Sequence, residues 1–302
     1  MALDISRTAD VSLSLAEALE AFDALAPSVE SEEQRDLAAD ILARLALDRD
    51  CISDAAIAEL KQYHSAKIAT ESYGQRQYGP QVIMLGEPRP GWFLRANIWP
   101  AKPDYAVKAS GEAAFFYGLP HDHNFDFLTI GYHGPGYVSD YYEQDYGSLA
   151  GFRGEPAGLR FVERSRLSEG RMLHYRKHRD VHCQYPPEAL SISLNLMLTA
   201  WDQPWTDQYS YDLERNRIGH ILSFGASDIL LRLAVDSGLG DGLELAETVM
   251  QKHPSHRLRS VALDALYHHF ADNPRQQNAL LDKALSSDSA LLIGEAERLS
   301  GV

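Results

Sequence analysis

Cysteine and positive charge are both scarce in this sequence. Its 302 residues include only two cysteines, Cys51 and Cys183, which lie far apart along the chain. Two such cysteines cannot build the disulfide framework of a secreted domain, so a reducing cytoplasm is the expected compartment. Lysine and arginine number 28 against 43 aspartates and glutamates, which gives a formal net charge of −15. Because nucleic-acid recognition needs a basic face, no nucleic-acid partner is expected.

Long apolar runs are missing as well. No window approaches about 18 uninterrupted apolar residues, so no membrane span is predicted. The N-terminal stretch "MALDISRTADVSLSLAEALEAF" lacks a basic segment followed by a continuous apolar one, so no signal peptide is expected. Hydrophobic residues make up 45% of the chain and charged residues 24%, the composition of an ordinary globular protein.

The spacing of apolar residues and of Gly- and Pro-containing turns divides the chain into three regions. Residues 1–72 predict helices, because Leu, Ala, Ile and Phe recur every three or four positions. Within 73–220, runs such as "GWFLRANIW", "AAFFYGL" and "ALSISLNLML" have strand length and composition, and Gly- and Pro-containing turns separate them. Residues 221–302 return to helix-length units that resemble a HEAT-like array. The expected fold class is α+β, with an antiparallel β-barrel or sandwich between two helical regions.

Two histidines near the middle of the chain are the main candidates for chemistry. His121 and His123 begin the alternating run "HDHNFDFLTIGYHGPGYVSDYY". On a strand, residues two apart point to the same face, so both imidazoles would converge on one point. A metal needs at least a third ligand, and His182 is the best candidate because it precedes a Pro-containing turn and an alternating strand. The alternative is a structural pair whose rings are hydrogen-bonded to the backbone.

The surrounding residues carry a family resemblance. "HDHNFDFLTIGYHGPGYVSDYY" resembles the first metal motif of the cupin superfamily, a small antiparallel double-stranded β-barrel. More narrowly, it resembles a segment of the thiol dioxygenases, the cysteine and mercaptopropionate dioxygenases, and "DVHCQYPPEALSISLNLML" is similar to their second motif. The resemblance covers roughly residues 90–200 and neither helical region. It implies a cupin barrel within 73–220 that holds iron(II) through His121, His123 and His182.

A carboxylate ligand is not expected beside these histidines. Many cupins place a glutamate three or four residues beyond the second histidine, where this chain has Phe127 and Leu128. Asp126 is the only nearby acid, and strict alternation sends it to the face opposite His123 unless a bulge turns it back. Three histidines without a carboxylate are also what thiol dioxygenases use for iron(II). Ligand type alone leaves zinc, manganese or nickel as alternatives.

The same resemblance suggests roles for two further residues. Thiol dioxygenases carry an arginine on an early strand that pairs with the substrate carboxylate, and Arg95 stands at a corresponding point. A guanidinium fork suits bidentate carboxylate binding, although Arg95 could also be a surface residue or part of a structural ion pair. The second-motif strand of those enzymes supplies a histidine and a tyrosine, which this chain replaces by Asn195 and Met197. Asn195 could still hydrogen-bond near the metal, but the departures put a thiol substrate in doubt.

These observations favour a mononuclear non-haem iron(II) oxygenase. Dioxygen and a carboxylate- or thiol-bearing substrate would occupy the open positions, and a peptide-linked substrate is also kept open. One alternative is a metal-dependent isomerase or hydrolase on the same fold. Another is a ligand-sensing protein whose C-terminal helices bind a protein partner.

Overall fold

The computed structural model describes residues 2–28, 31–63 and 81–301. Contacts divide the chain into two compact units. The first comprises residues 1–144 and 159–201, and the second comprises residues 145–158 and 202–302. The start of the predicted barrel near residue 73 lies outside the described residues, and the three-region division stays a prediction.

Three helices in the described N-terminal residues cover one face of a sheet. They are α1 (Leu15–Leu25), α2 (Glu32–Leu45) and α3 (Cys51–Tyr63), and they confirm the predicted helical pattern. A capping box begins α1: the Glu17 N–H donates to Ser14 Oγ at 3.3 Å, and the Ser14 N–H donates to the Glu17 carboxylate at 2.8 Å. The buried residues of α1 and α2, such as Phe22 and Leu42, pack in one core with sheet residues including Leu94. The hydrophobic effect of this burial holds the helices on the sheet.

The described residues of the first unit form two antiparallel sheets. Its strands are β1 (Leu3–Ile5), β2 (Val82–Met84), β3 (Trp92–Trp99), β4 (Asp126–His133), β5 (Tyr137–Glu143), β6 (Arg160–Leu167), β7 (Met172–Tyr175), β8 (Asp180–Gln184) and β9 (Ser191–Leu198). Six of them form a large sheet in the order β1-β7-β4-β9-β3-β2, and the other three form a small sheet in the order β6-β5-β8. A short helix, α4 (Tyr105–Ser110), lies between β3 and β4.

The expected closed barrel is replaced by these two separate sheets, which pack face to face. Tyr137 and Tyr141 of the small sheet share one buried core with Phe127 and Tyr175 of the large sheet. Among the described residues, hydrogen bonding does not close the strands into one barrel. The architecture therefore combines helices with two packed antiparallel sheets. It fits the predicted sandwich better than the predicted barrel.

The prediction of one strand is wrong. The run "AAFFYGL" forms a 3-10 helix (Glu112–Phe115) followed by a turn. Gly111 and Gly118 stand on either side with positive φ angles of 80° and 71°, and Phe116 has a φ of 60°. These left-handed residues reverse the chain, so an apolar run of strand length cannot extend here.

Strand β3 shows how the two faces of the large sheet differ. Leu94 and Ala96 belong to the core beneath the N-terminal helices, and this side of the sheet is its outer face. Phe93 and Trp99 belong to the core between the sheets. Because side chains alternate along a strand, Arg95 shares this inner face with Phe93, as the sequence pattern predicts.

In its described residues, the second unit contains a hairpin, five α-helices and two short 3-10 helices. The hairpin pairs β10 (Tyr209–Asp212) with β11 (Arg217–Ile221). The helices are α5 (Ala226–Asp236), α6 (Gly240–Lys252), α7 (His256–His269), α8 (Pro274–Leu285) and α9 (Ala290–Ser300). Helix α7 packs against each of the other four. The predicted helices are therefore present, whereas their HEAT-like arrangement stays a prediction.

Within the described residues, every helix is too short or too polar to span a bilayer.

Candidate metal centre

Backbone hydrogen bonds hold His121 directly opposite His182. The N–H of each residue donates to the carbonyl of the other, both at 3.0 Å, in an isolated antiparallel bridge. His182 lies in β8, and its other neighbour across the small sheet is Tyr141 of β5. Residues directly opposite in an antiparallel pair have their side chains on the same side, so the two imidazoles meet.

His123 reaches the same point from an irregular segment. The strand expected to carry the His-x-His pair begins only at Asp126, so the predicted placement of the pair on a strand is wrong. The backbone of His123 is fixed instead by the His178 N–H, which donates to its carbonyl at 2.8 Å. Gln144 supports this segment, because its Nε2 donates to Asp122 Oδ2 at 2.9 Å and to the His178 carbonyl at 3.1 Å.

The Nε2 atoms of the three histidines converge. Nε2 of His182 lies 3.1 Å from Nε2 of His123 and 3.3 Å from Nε2 of His121. Two nitrogens that each lie about 2.1 Å from one ion, at angles between about 90° and 109°, are separated by about 3.0 to 3.4 Å. The observed spacing therefore fits a shared metal ion, and the three residues form a group able to hold one.

Burial keeps these imidazoles neutral. The exposed fractions of His121, His123 and His182 are 4%, 8% and 5%. Desolvation lowers the pKa of His121 to about 4, and the pKa values of His123 and His182 lie well below their usual range for the same reason. Nδ1 of His121 lies 2.8 Å from the Leu119 carbonyl, a contact that places the proton on Nδ1 and leaves the Nε2 lone pair for a metal. Neutral imidazole is the form that binds metal.

Aromatic rings surround the three histidines. The Phe125 and Phe127 rings lie 4.9 and 5.0 Å from the His123 ring, and the Tyr175 ring lies 4.9 Å from the His182 ring. The Tyr175 hydroxyl is hydrogen-bonded to that of Tyr141 at 3.0 Å. A low-dielectric environment of this kind strengthens electrostatic interactions at the centre. The sequence pattern did not single out Tyr175, since "MLHYRKH" resembles an exposed basic segment more than a buried strand.

Asp126 lies on the other face of the large sheet. It alternates with Phe127, an inner-face residue, and its carboxylate lies 2.9 Å from Nε2 of His174. No bulge turns it toward His123, and within the described residues it is not part of the metal-binding group. His174 is itself buried, in β7.

Arg95 and Asn195 are neighbours on the inner face. They are register partners on β3 and β9, and Asn195 is also the partner of Thr129 on β4. Desolvation is the main cause of the lowered pKa of His123, and the positive charge of Arg95 adds a smaller contribution. Asn195 is buried, and its Nδ2 lies 3.5 Å from Ser193 Oγ rather than against a histidine.

No protein-family model and no curated protein matches this sequence. Among solved structures, a chain from the crystal structures of the DMSP lyases RdDddP and RnDddQII matches with a TM-score of 0.27 and 12% identity, over 43% of this chain and 52% of that one. The DMSP lyase DddQ from Ruegeria pomeroyi DSS-3 matches with a TM-score of 0.25 and 12% identity, over 42% and 49%.

A third match is the L-ribose isomerase of Cellulomonas parahominis, with a TM-score of 0.21 and 15% identity over 42% of this chain and 74% of that one. The chain spans about half the length of the two lyase chains. Because these similarities are weak, conclusions about the chemistry of the centre rest on its own geometry.

Proposed function

We propose that this protein is a metal-dependent enzyme of the cupin type, in which His121, His123 and His182 hold one iron(II) ion. The observation that carries the proposal is the convergence of three buried Nε2 atoms at separations of 3.1 and 3.3 Å. The donor set is neutral and contains no carboxylate among the described residues. Such a set suits a divalent transition metal that keeps open positions for substrate and oxidant.

Within this class, we propose an oxygenase that acts on a small carboxylic acid. Iron(II) in this centre would supply oxidation by dioxygen, the chemistry that amino-acid side chains lack. The protein would contribute the position of the substrate. Arg95 lies on the inner face, one row from Phe127, whose ring contacts that of His123, so a carboxylate bound to the guanidinium would hold the rest of the molecule on the side of the metal. The aromatic rings around the histidines would exclude bulk water.

A second candidate is a non-oxidative lyase or isomerase at the same centre. The buried tyrosines favour it, because desolvation raises the pKa of Tyr175 well above its usual range and keeps the phenol protonated. A protonated phenol 3.0 Å from the Tyr141 hydroxyl can donate a hydrogen bond to a bound substrate. In this case zinc, manganese or nickel would replace iron. A ligand-sensing protein without catalysis is the third reading of the fold.

Metal analysis of freshly purified protein, combined with oxygen-uptake measurements across carboxylic acids, amino acids and thiols, separates these possibilities. We expect about one iron per chain and oxygen uptake that depends on added substrate. A redox-inert metal without oxygen uptake would support the lyase or isomerase. Protein that binds no divalent metal in solution would contradict both enzymatic proposals.

Arg95→Lys tests the carboxylate role. An ammonium cannot make the two parallel hydrogen bonds of a guanidinium, so we expect carboxylate affinity to fall about tenfold while metal content and thermal stability remain at the wild-type level. The measurement is binding of a simple carboxylate such as propionate, followed by isothermal titration calorimetry. Lys108→Arg, the reverse exchange in α4, is the control. Unchanged affinity in Arg95→Lys would show that Arg95 does not bind the carboxylate.

A further inference from the structure

A row of polar side chains crosses the inner face of the large sheet beside the candidate metal centre. Arg95, Asn195 and Thr129 are aligned by register across β3, β9 and β4. The next row contains Asn97 and Ser193, which are also register partners. The row on the other side is apolar and includes Phe127, whose ring contacts that of His123. The row of Arg95, Asn195 and Thr129 therefore lies one step along the strands from the apolar row that contacts His123, and the row of Asn97 and Ser193 lies two steps from it.

These polar groups are deeply buried and only partly satisfied. Thr129 is 0% exposed, Asn195 3% and Asn97 7%. Ser193 accepts a hydrogen bond from Trp99 Nε1 at 3.0 Å, but Thr129 Oγ1 and Asn97 Oδ1 have no hydrogen-bond partner in the described part of the chain. A buried polar atom without a partner destabilises the folded protein, and a well-packed sheet interior ordinarily carries apolar residues at such positions.

The inner face of β3 is partly exposed at two positions. The outer-face residues Trp92, Leu94 and Ala96 of this strand are buried, whereas Phe93 and Arg95, which point between the sheets, are partly exposed. Arg95 is therefore the position of this polar row that solvent reaches, whereas Asn195 and Thr129 are buried. From there the polar row leads inward to Asn195 and then Thr129, about 5 Å per strand.

We infer that the polar row binds the hydroxyl groups of the substrate, so that the substrate class is a small hydroxy acid rather than a thiol acid. The inference rests on the proposed function, in which Arg95 binds the carboxylate. A hydroxyl group both donates and accepts hydrogen bonds, which matches the unpartnered oxygens of Thr129 and Asn97 and the amide of Asn195. A thiol is only a weak donor and acceptor and would leave those oxygens unsatisfied.

Three acids of equal chain length test this inference by calorimetric titration of the full chain. Propionate has no hydroxyl group, 3-hydroxypropionate has one and glycerate has two, while 3-mercaptopropionate is the thiol comparison. We expect each hydroxyl group to raise affinity about 2- to 10-fold. The titrations are made with metal-free and with metal-loaded protein, since the polar row belongs to the protein itself.

Thr129→Val separates ligand recognition from a structural role. It removes the hydroxyl group but keeps the shape, so we expect the affinity gain of glycerate over propionate to shrink by about 2- to 10-fold. Because the variant also removes an unpartnered buried oxygen, the melting temperature of the ligand-free protein should stay the same or rise. Thr129→Ser keeps the hydroxyl group and should retain the glycerate preference, and Thr248→Val, on the exposed side of α6, should change neither quantity.

Equal affinity for propionate and glycerate, or tighter binding of 3-mercaptopropionate than of glycerate, would overturn the inference. So would a Thr129→Val variant that melts lower while keeping the glycerate preference, because that combination indicates a structural role. These outcomes are distinct from failure of the proposed function, which would show as absence of bound metal in the wild-type protein whatever acid it prefers.

Discussion

Replacing His182 by alanine is expected to lower the affinity for iron(II) or zinc by more than about 100-fold. Loss of a hydrogen-bond partner outside a metal's ligand shell already costs about 10- to 100-fold, and His182 is a proposed ligand whose Nε2 lies close to those of both His121 and His123. Metal content of purified protein and competition with a chelator measure the effect. His121→Ala and His123→Ala should behave alike.

Stability provides an independent readout of the same centre. A metal that binds only the folded protein adds about 2.7 kcal/mol to the free energy of unfolding when its concentration is about 100 times Kd. We expect this gain in the wild type and its absence in His182→Ala.

Two controls keep the interpretation specific. Asp126→Asn changes a carboxylate that contacts His174 on the opposite face, and His133→Ala changes an exposed histidine at the end of β4. Both should retain metal. Wild-type metal affinity in all three histidine variants would refute the centre.

The sequence predicts this centre better than it predicts the backbone that builds it. His182 could be identified because a turn and a strongly alternating strand follow it, and the inner position of Arg95 follows from simple alternation along β3. The convergence of His121 and His123 was expected on a strand. It arises instead from the bridge to His182 and the hydrogen bond from His178, which are contacts between residues far apart in sequence.

The features that sequence patterns missed depend on tertiary register. Asp126 and His174 meet only because β4 and β7 are neighbours in the large sheet. Tyr175 faces the histidines because the short strand β7 is buried, although basic residues follow it directly. Alternation gives the face of a strand but not its partner, so neither contact could be predicted from one sequence.

Replacing Arg257 by alanine is expected to lower the stability of the second unit by about 3 to 5 kcal/mol, because it leaves buried carboxylates without a counter-charge. Arg257 of α7 is 7% exposed, and its guanidinium pairs with Asp207, at 2.7 Å, and with Asp228 of α5. Both aspartates are buried as well, at 6% and 2% exposed. Urea unfolding of the full chain, followed by far-ultraviolet circular dichroism, should show a lower transition midpoint for the helices.

A triple variant separates the effect of the unpaired charges from the effect of lost packing. Combining Arg257→Met with Asp207→Asn and Asp228→Asn removes all three charges while keeping similar volume, and it should recover most of the lost stability, since a buried ion pair as a whole contributes little net free energy. In Asp228→Asn the amide oxygen can still accept the hydrogen bond that the Gly225 N–H donates to the Asp228 carboxylate at 2.9 Å, so the start of α5 is preserved. Arg232→Ala breaks an exposed pair with Asp236 and should cost less than about 1 kcal/mol. If Arg257→Ala costs no more than Arg232→Ala, the buried pairs do not hold α7 to α5, and the helices of the second unit must be stabilised by their apolar core alone.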